Sequence, residues 1–151
     1  MQNNLFLKFF IVLIFFFFFT NSSFSDIKGR GELKMSERAV SHFIDWVNTN
    51  EIYQGRRCKP SMFIISSDGQ WTQGNVCCYP ECQDTLSKKI IRKCESETRV
   101  MCGVFSIRRT IYWDNGINTK KNKAKINTRM TSSDVREKLK QIGFLGDTNT
   151  K

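Results

Sequence analysis

The chain has 151 residues, six of them cysteine, and its 24 Lys and Arg outnumber its 14 Asp and Glu, giving a formal net charge of +10. This length suffices for one domain but not for two. No stretch forms a specific catalytic or metal-binding constellation. The sequence therefore predicts compartment, covalent framework and architecture rather than a reaction, and no catalytic residue is predicted.

The first 25 residues are typical of a secretory signal peptide. Lys8 is their only charge, an apolar run of eleven residues spans 9–19, and Ser23 and Ser25 are small residues at the −3 and −1 positions of a cut before Asp26. A membrane span needs about 20 residues, so cleavage is favoured and retention as an anchor is the alternative. Removing 25 of the 151 residues would leave 126. We expect an exported protein, periplasmic or extracellular.

Six cysteines in an exported chain favour three disulfides, because their number is even and the compartment is oxidising. The cluster of Cys77, Cys78 and Cys82 lacks the C-x2-C spacing and the histidine partners of a zinc site. Its C-x3-C segment also lacks the C-x-x-C spacing of thiol oxidoreductases. No metal or cofactor is therefore expected.

The first part of the exported chain predicts a helix between two polar segments. Residues 26–35 are Gly-rich and charged, and we expect a mobile lead. A helix is predicted from the N-cap Ser36 to about Asn48, because apolar residues recur at helical spacing. They are Val40, Phe43, Ile44 and Val47. Residues 50–60 follow as a polar loop.

Residues 62–78 have the signature of a β-hairpin, because Asp68-Gly69 suits a type I′ turn and both arms have strand composition. The expected cross-strand pairs are Ile65 with Thr72 and Phe63 with Gly74. This register places Cys58 on the same face as Cys77. A bulge or a longer turn would instead place Cys58 with Cys78.

The next segment predicts a second helix and two more strands. Asp84 is a suitable N-cap for a helix with an inward apolar face. That face consists of Leu86, Ile90 and Cys94. A turn over 95–98 leads to a strand over 99–107, and 109–113 form a strand that returns on it.

The end of the chain changes character. Residues 115–131 have hardly any large apolar residue and are expected to be a basic, solvated linker. Residues 132–145 then predict a short helix that docks loosely, with a start at Ser132, Ser133 or Asp134. Its apolar side consists of Val135, Leu139 and Ile142, and Gly143 stops it.

These elements predict an α+β fold of order α-β-β-α-β-β followed by the short C-terminal helix. A small antiparallel sheet would be covered by helices and fastened by disulfides. Residues 36–114 would form this domain. Oligomeric state is left open.

The basic residues between Arg108 and Arg129 are the only feature with functional implications. Seven Lys and Arg there face the single acidic residue Asp114. The candidates for anion binding are Arg108, Arg109, Lys120, Lys121, Lys123, Lys125 and Arg129. Such a segment attracts anionic polymers. Aromatic residues are not interleaved with the charges, so an anionic polysaccharide or lipid surface is favoured over nucleic acid. Plain solubility is the alternative.

Catalytic interpretations have little support. His42 is the only histidine, and no nucleophile motif surrounds it. The carboxylate pairs suggest capping and turn roles rather than glycosidase chemistry. These pairs are Glu95 with Glu97 and Glu81 with Asp84. The leading expectation is a non-catalytic binding or structural module. The alternative is a small enzyme or enzyme inhibitor that uses the loops at Cys58 and 77–82, with Arg56, Arg57, Tyr79 and Glu81.

Five motifs occur along the chain: F-x-[IV]-[ST]-x-D-G, C-x4-C, C-E at a helix end, C-x-[IV]-[FY] and [RK]-[RK]-[TR]-[IV]-x-W. They stand at 63–69, 77–82, 94–95, 102–105 and 108–113. This series resembles a group of small, uncharacterised exported bacterial proteins, and the likeness covers nearly all of the exported chain. It brings no known activity.

The resemblance implies a disulfide pairing. It implies the bonds Cys77–Cys82 and Cys94–Cys102. Cys58 and Cys78 depart from the pattern, so a bond between these two is inferred as an addition. That inference conflicts with the face predicted from the hairpin register. The pairing of Cys58, Cys77, Cys78 and Cys82 therefore stays open at the level of sequence.

Overall fold

The computed structural model of the protein describes residues 27–79 and 87–146. The predicted signal peptide, the N-cap Asp84 and Cys82 lie outside these residues. The described residues form three helices and six strands, numbered in chain order. They are α1 (Glu37–Val47), β1 (Ile52–Tyr53), β2 (Arg56–Arg57), β3 (Lys59–Ser66), β4 (Thr72–Cys77), α2 (Ser87–Thr98), β5 (Cys102–Ile107), β6 (Thr110–Ile111) and α3 (Ser132–Gln141).

Four of the strands form one antiparallel sheet in the order β4-β3-β5-β6, and β1 pairs with β2 in a separate small hairpin. The predicted α+β class, with a small antiparallel sheet, disulfides and a short C-terminal helix, is confirmed. The polar loop expected over 50–60 was wrong, because that segment forms the β1–β2 hairpin. Its turn residues Gln54 and Gly55 both have positive φ, at 48° and 75°. That is the pattern of a type I′ turn.

Helix α1 forms where it was predicted. The hydroxyl oxygen of Ser36 accepts a hydrogen bond from the N–H of Ala39 at 3.2 Å and donates to the carbonyl of Gly69 at 2.9 Å. The helix buries one face against β3 and β4. Burying one large apolar side chain is worth about 1.5–3 kcal/mol. The buried cluster that this face forms with residues of β3, β5 and α3 is called the main core. The face of α1 contributes a large share of it.

The β3–β4 hairpin has the predicted register next to its turn, with Ile65 opposite Thr72 and Phe63 opposite Gly74. The turn itself is not type I′, because Gly69 has a φ of 72° while Asp68 has no positive φ. The N–H of Gly69 donates to the carbonyl of Ser66 at 2.9 Å. A type I′ turn would need positive φ at both central residues.

The register of this hairpin shifts by one residue around Ser61. Beyond this bulge Cys58 meets Cys78, and the two form a disulfide with their Cα atoms 4.0 Å apart. The prediction that Cys58 and Cys77 share a face was therefore wrong, because the extra residue reverses the alternation of side chains. The pairing expected for a bulged hairpin is the one observed.

A second disulfide joins Cys94 in α2 to Cys102 at the start of β5. The turn expected over 95–98 is instead the last turn of α2, and the strand begins later than residue 99. Arg99 stops the helix in a left-handed conformation, with a φ of 62°. Cys77 is also disulfide-bonded.

The expected mobile lead pairs with the sheet. The N–H of Val104 donates to the carbonyl of Ile27 at 2.8 Å, and the N–H of Gly31 donates to that of Asp114 at 2.9 Å. Leu33 is fully buried in the main core. Two apolar residues, Leu33 and Met35, and a parallel backbone pairing thus fix a segment whose composition is polar.

The segment 115–131 is not uniformly solvated as expected. Asn118 is buried, and its amide donates to the carbonyls of Ile111 and Trp113 at 3.2 and 2.7 Å. Ile126 also belongs to the main core. Backbone hydrogen bonds also attach this basic segment to the domain, from Ile111 to the carbonyl of Ala124 at 2.9 Å and from Ile126 to the carbonyl of Arg109 at 2.8 Å.

Helix α3 docks firmly, contrary to the expectation of loose docking. Thr131 is its N-cap, one residue before the predicted start, and it forms a capping box with Asp134. The hydrogen bond from the backbone N–H of Thr131 is the main cause that lowers the pKa of Asp134, and the bond from the Thr131 hydroxyl lowers it further. Val135, Leu139 and Phe144 are fully buried in the main core.

Candidate functional site

A cleft of about 840 Å³ lies between the β1–β2 hairpin with the start of β3 and the β5–β6 turn. We call it the large cleft. Its cationic lining residues are Arg56, Arg57, Lys59, Arg108 and Arg109. None of the described residues that line it is Asp or Glu. A cleft lined by one sign of charge focuses the field and attracts ions of the opposite sign.

The β5–β6 turn brings Arg108 and Arg109 to the large cleft. Arg108 has a left-handed backbone with a φ of 53°, and its N–H donates to the carbonyl of Ser61 at 2.7 Å. The buried hydroxyl of Ser106 donates to the carbonyl of Thr110 at 2.9 Å. The first bond attaches the turn to β3 and the second closes the turn, so the backbone that carries both arginines is fixed.

Arg109 also reaches helix α1. Its Nη2 donates to the carbonyl of Val47, the last residue of that helix, at 2.9 Å. The C-terminal end of a helix dipole favours a cation at this position. The Nε of Arg109 is buried and has no hydrogen-bond partner among the described residues. Arg109 is therefore a fixed charge in the lining of the large cleft, and its buried Nε is an unsatisfied donor inside the protein.

The other wall of the large cleft is held covalently. The N–H of Cys58 donates to the carbonyl of Glu51 at 2.8 Å, which closes the base of the β1–β2 hairpin. The Cys58–Cys78 disulfide then attaches this hairpin to the end of β4. Tyr79 follows directly, and its hydroxyl donates to Oε1 of Gln54 at 3.0 Å.

A second cleft of about 110 Å³, the small cleft, adjoins the first at Tyr112, which lines both. The Nζ atoms of Lys123 and Lys28 lie 4.4 and 5.2 Å from the centre of the Tyr112 ring. Both distances are within the range of a cation–π interaction. The remaining charged lining residues are Arg30, Asp114 and Lys120. Tyr112 thus gathers lysines from distant parts of the chain into one basic patch.

The structure divides the seven predicted anion-binding residues. Arg108 and Arg109 line the large cleft, and Lys120 and Lys123 line the small one. Lys121, Lys125 and Arg129 are exposed and line neither. The other five cations that line the clefts belong to the lead over 26–35 and to the segment around Cys58. They are Lys28, Arg30, Arg56, Arg57 and Lys59. Counting charges segment by segment did not connect them with the residues between Arg108 and Arg129.

The candidate catalytic groups His42 and Glu97 make hydrogen bonds or packing contacts within the domain. His42 shares a hydrogen bond of 2.7 Å with the hydroxyl of Thr72 and packs edge-on against the ring of Phe63. Burial is the main cause that lowers the pKa of His42. Glu97 accepts a hydrogen bond from the indole N–H of Trp71 at 2.7 Å. His42 and Glu97 line neither cleft.

Among the described residues there is no group of His, Cys, Asp and Glu that could hold a metal ion. In the same part of the chain, no helix is long and apolar enough to cross a membrane. The disulfides indicate a location outside the reducing cytoplasm. Comparisons with protein-family models, curated proteins and solved structures found no match. The likeness to small exported bacterial proteins therefore stays a prediction.

Proposed function

We propose that this protein is a non-catalytic, exported binding module for polyanionic surfaces or polymers, and that it binds them through the two clefts. One observation carries the proposal. The described residues that line the clefts include nine Lys and Arg against the single carboxylate Asp114. Export is supported by the disulfides and by the signal-like pattern of the first 25 residues.

The arrangement suits extended anions better than a single small ion. The charges continue from the large cleft to the small one across Tyr112. Three of the five cations in the large cleft are exposed arginines, whose planar guanidinium groups bind carboxylate, sulfate or phosphate with two hydrogen bonds. They are Arg56, Arg57 and Arg108. A linear polyanion or a charged surface would engage several of them at once.

An enzyme or enzyme inhibitor has less support as the alternative. The cleft that it would use has no Asp or Glu among its described lining residues, and the single histidine lies elsewhere. General acid–base chemistry most often uses His, Asp or Glu, whereas the titratable lining residues of the large cleft are Lys59, Tyr79 and Tyr112. Glu81, which belonged to that hypothesis, lies outside the described residues.

The test compares two variants with the same change in charge. The cleft variant carries Arg56→Gln, Arg57→Gln and Arg108→Gln. The control carries Lys121→Gln, Lys125→Gln and Arg129→Gln, three exposed cations that line neither cleft. Binding to dextran sulfate is measured by titration calorimetry over a series of salt concentrations.

We expect the parent protein to bind dextran sulfate at low salt. The slope of log K against log salt should fall by roughly one for each arginine that no longer pairs with a sulfate group, so the cleft variant should show a smaller slope and a weaker affinity. The control should stay close to the parent. Equal effects in both variants would mean that only net charge matters, and absence of binding by the parent would refute the proposal.

A further inference from the structure

Three exposed apolar side chains belong to the β1–β2 hairpin and to Tyr79, which lines the large cleft beside it. Ile52 is 68% exposed, Tyr53 is 51% exposed and Tyr79 is 45% exposed. The rings of Tyr53 and Tyr79 pack edge-on with their centres 5.7 Å apart. We call residues 52–57 together with Tyr79 the hairpin tip. Half of the six exposed large apolar side chains in the described part of the chain lie in it.

The hairpin tip is held in shape without a hydrophobic core. All residues of β1 and β2 are exposed. An isolated two-stranded hairpin is at best marginally stable in water. Here the type I′ turn, the Cys58–Cys78 disulfide and the contact between Tyr53 and Tyr79 hold it. A hairpin that is fixed in this way presents its apolar side chains to a partner rather than to the core.

Each face of this hairpin carries one apolar side chain and one arginine. Arg57 lies opposite Ile52, and Arg56 lies opposite Tyr53. Side chains directly opposite in an antiparallel pair share a face, so Ile52 and Arg57 lie on one face of the hairpin and Tyr53 and Arg56 lie on the other. Glu51 at the base is the one acidic neighbour in the β1–β2 segment.

This combination matches the surface of an anionic lipid bilayer. Tyrosine is favoured at the level of the lipid headgroups, where its ring is in apolar surroundings and its hydroxyl is wet. An exposed isoleucine buries apolar surface when it enters the boundary of the acyl chains, and nearby arginines are attracted electrostatically to anionic headgroups. A soluble polyanion would satisfy the arginines but would leave Ile52 in water.

We propose that the hairpin tip docks this protein reversibly on an anionic phospholipid bilayer. The hairpin enters the headgroup region with both of its exposed faces against lipid. Ile52 on one face and Tyr53 with Tyr79 on the other then reach the interface, and Arg56 and Arg57 bind phosphates. The cations of the large cleft continue this contact along the membrane surface. The inference rests on the proposed function, because it assigns a lipid source to the anions that the same cleft binds.

The experiment separates apolar insertion from charge. The full chain is expressed, and its exported form is used for the parent and all variants, so any contribution from the N-terminal residues is the same in each. The apolar variant carries Ile52→Ser and Tyr53→Ser, and the charge variant carries Arg56→Gln and Arg57→Gln. The control is Ile117→Ser, since Ile117 is 58% exposed and lines neither cleft.

Each protein is sedimented with vesicles of phosphatidylcholine mixed with phosphatidylglycerol and with vesicles of phosphatidylcholine alone. Dextran sulfate binding is measured in parallel. The apolar variant should bind mixed vesicles about tenfold more weakly while it keeps its affinity for dextran sulfate. The charge variant should bind both ligands more weakly, by about fivefold per arginine on vesicles. The control should match the parent. Circular dichroism confirms that all variants are folded.

Two results would overturn the inference while the proposed function stands. In one, the apolar variant binds mixed vesicles as well as the parent does. In the other, the parent binds dextran sulfate but not mixed vesicles, which would point to a soluble polyanion or an acidic protein as the occupant. If the parent binds neither ligand, the proposed function fails as well.

Discussion

The backbone N–H of Arg108 donates to the carbonyl of Ser61 at 2.7 Å, which joins the turn that carries two arginines to the bulge of β3. The same bulge brings Cys58 to Cys78 and so fixes the opposite wall of the large cleft. Both walls are therefore attached to β3 beside this bulge. This is why the cations of distant segments converge there.

The buried hydroxyl of Ser106 should affect both stability and binding. Ser106→Ala removes its hydrogen bond to the carbonyl of Thr110 and should lower the free energy of unfolding by about 1 kcal/mol. Because that bond fixes the β5–β6 turn, affinity for dextran sulfate should fall as well. Ser96→Ala is the control, since its hydroxyl donates to the carbonyl of Lys93 on the exposed side of α2. Unchanged binding by Ser106→Ala would show that the turn does not need this bond.

The disulfide between Cys94 and Cys102 should be a major source of stability. Helix α2 buries only Ser87, Ile90 and Cys94, so packing alone attaches it weakly. Changing both cysteines to Ala should lower the free energy of unfolding by about 2–4 kcal/mol. Urea denaturation of the parent and the double variant checks this. A midpoint that barely moves would mean that the helix is held by its other contacts.

Stability should decline when the pH falls below the ordinary pKa of histidine. Burial lowers the pKa of His42 from its usual 6.5, so the unfolded chain takes up a proton before the folded protein does. The stabilising contribution is complete above pH 6.5 and is lost as the pH falls from there through the folded pKa. His42→Gln should flatten this part of the profile of melting temperature against pH. An unchanged slope would assign the effect to other groups.

Sequence patterns correctly predicted the features that depend on residues close together in the chain. Helix α1 was predictable because Ser36 and a regular apolar stripe agree, and the β3–β4 register was predictable near its turn. The bulge at Ser61 in the β3–β4 pairing was not, since it has no marker in the sequence. Register beyond it, and with it the Cys58–Cys78 bond, could not follow from alternation alone.

The site was predicted only in part for a related reason. Arg108 and Arg109 stood out in a run of basic residues, whereas Arg56 and Arg57 are joined to them only by tertiary contacts. Polar segments that are held by only one or two buried side chains are also missed when composition is averaged over a window. Leu33 and Ile126 each fix such a segment in the main core. Composition averages over a window, but burial is decided residue by residue.

The C-terminal helix should prove essential to the fold. The ring of Phe144 is fully buried and packs edge-on against Phe105 with their centres 4.9 Å apart. Its backbone carbonyl also accepts a hydrogen bond from the N–H of Met35 at 2.9 Å. Phe144→Ala should lower the free energy of unfolding by about 3–5 kcal/mol, because it leaves a cavity between β5 and the helix end.

The neighbouring Leu145 provides the matched control. It is only partly buried against the same core, so Leu145→Ala should cost clearly less than Phe144→Ala. Urea denaturation of both variants, followed by tryptophan fluorescence, gives the two free energies. If the two changes cost the same small amount, helix α3 docks as loosely as its sequence suggested. A large difference would show that the chain beyond the basic segment completes the core on which both clefts are built.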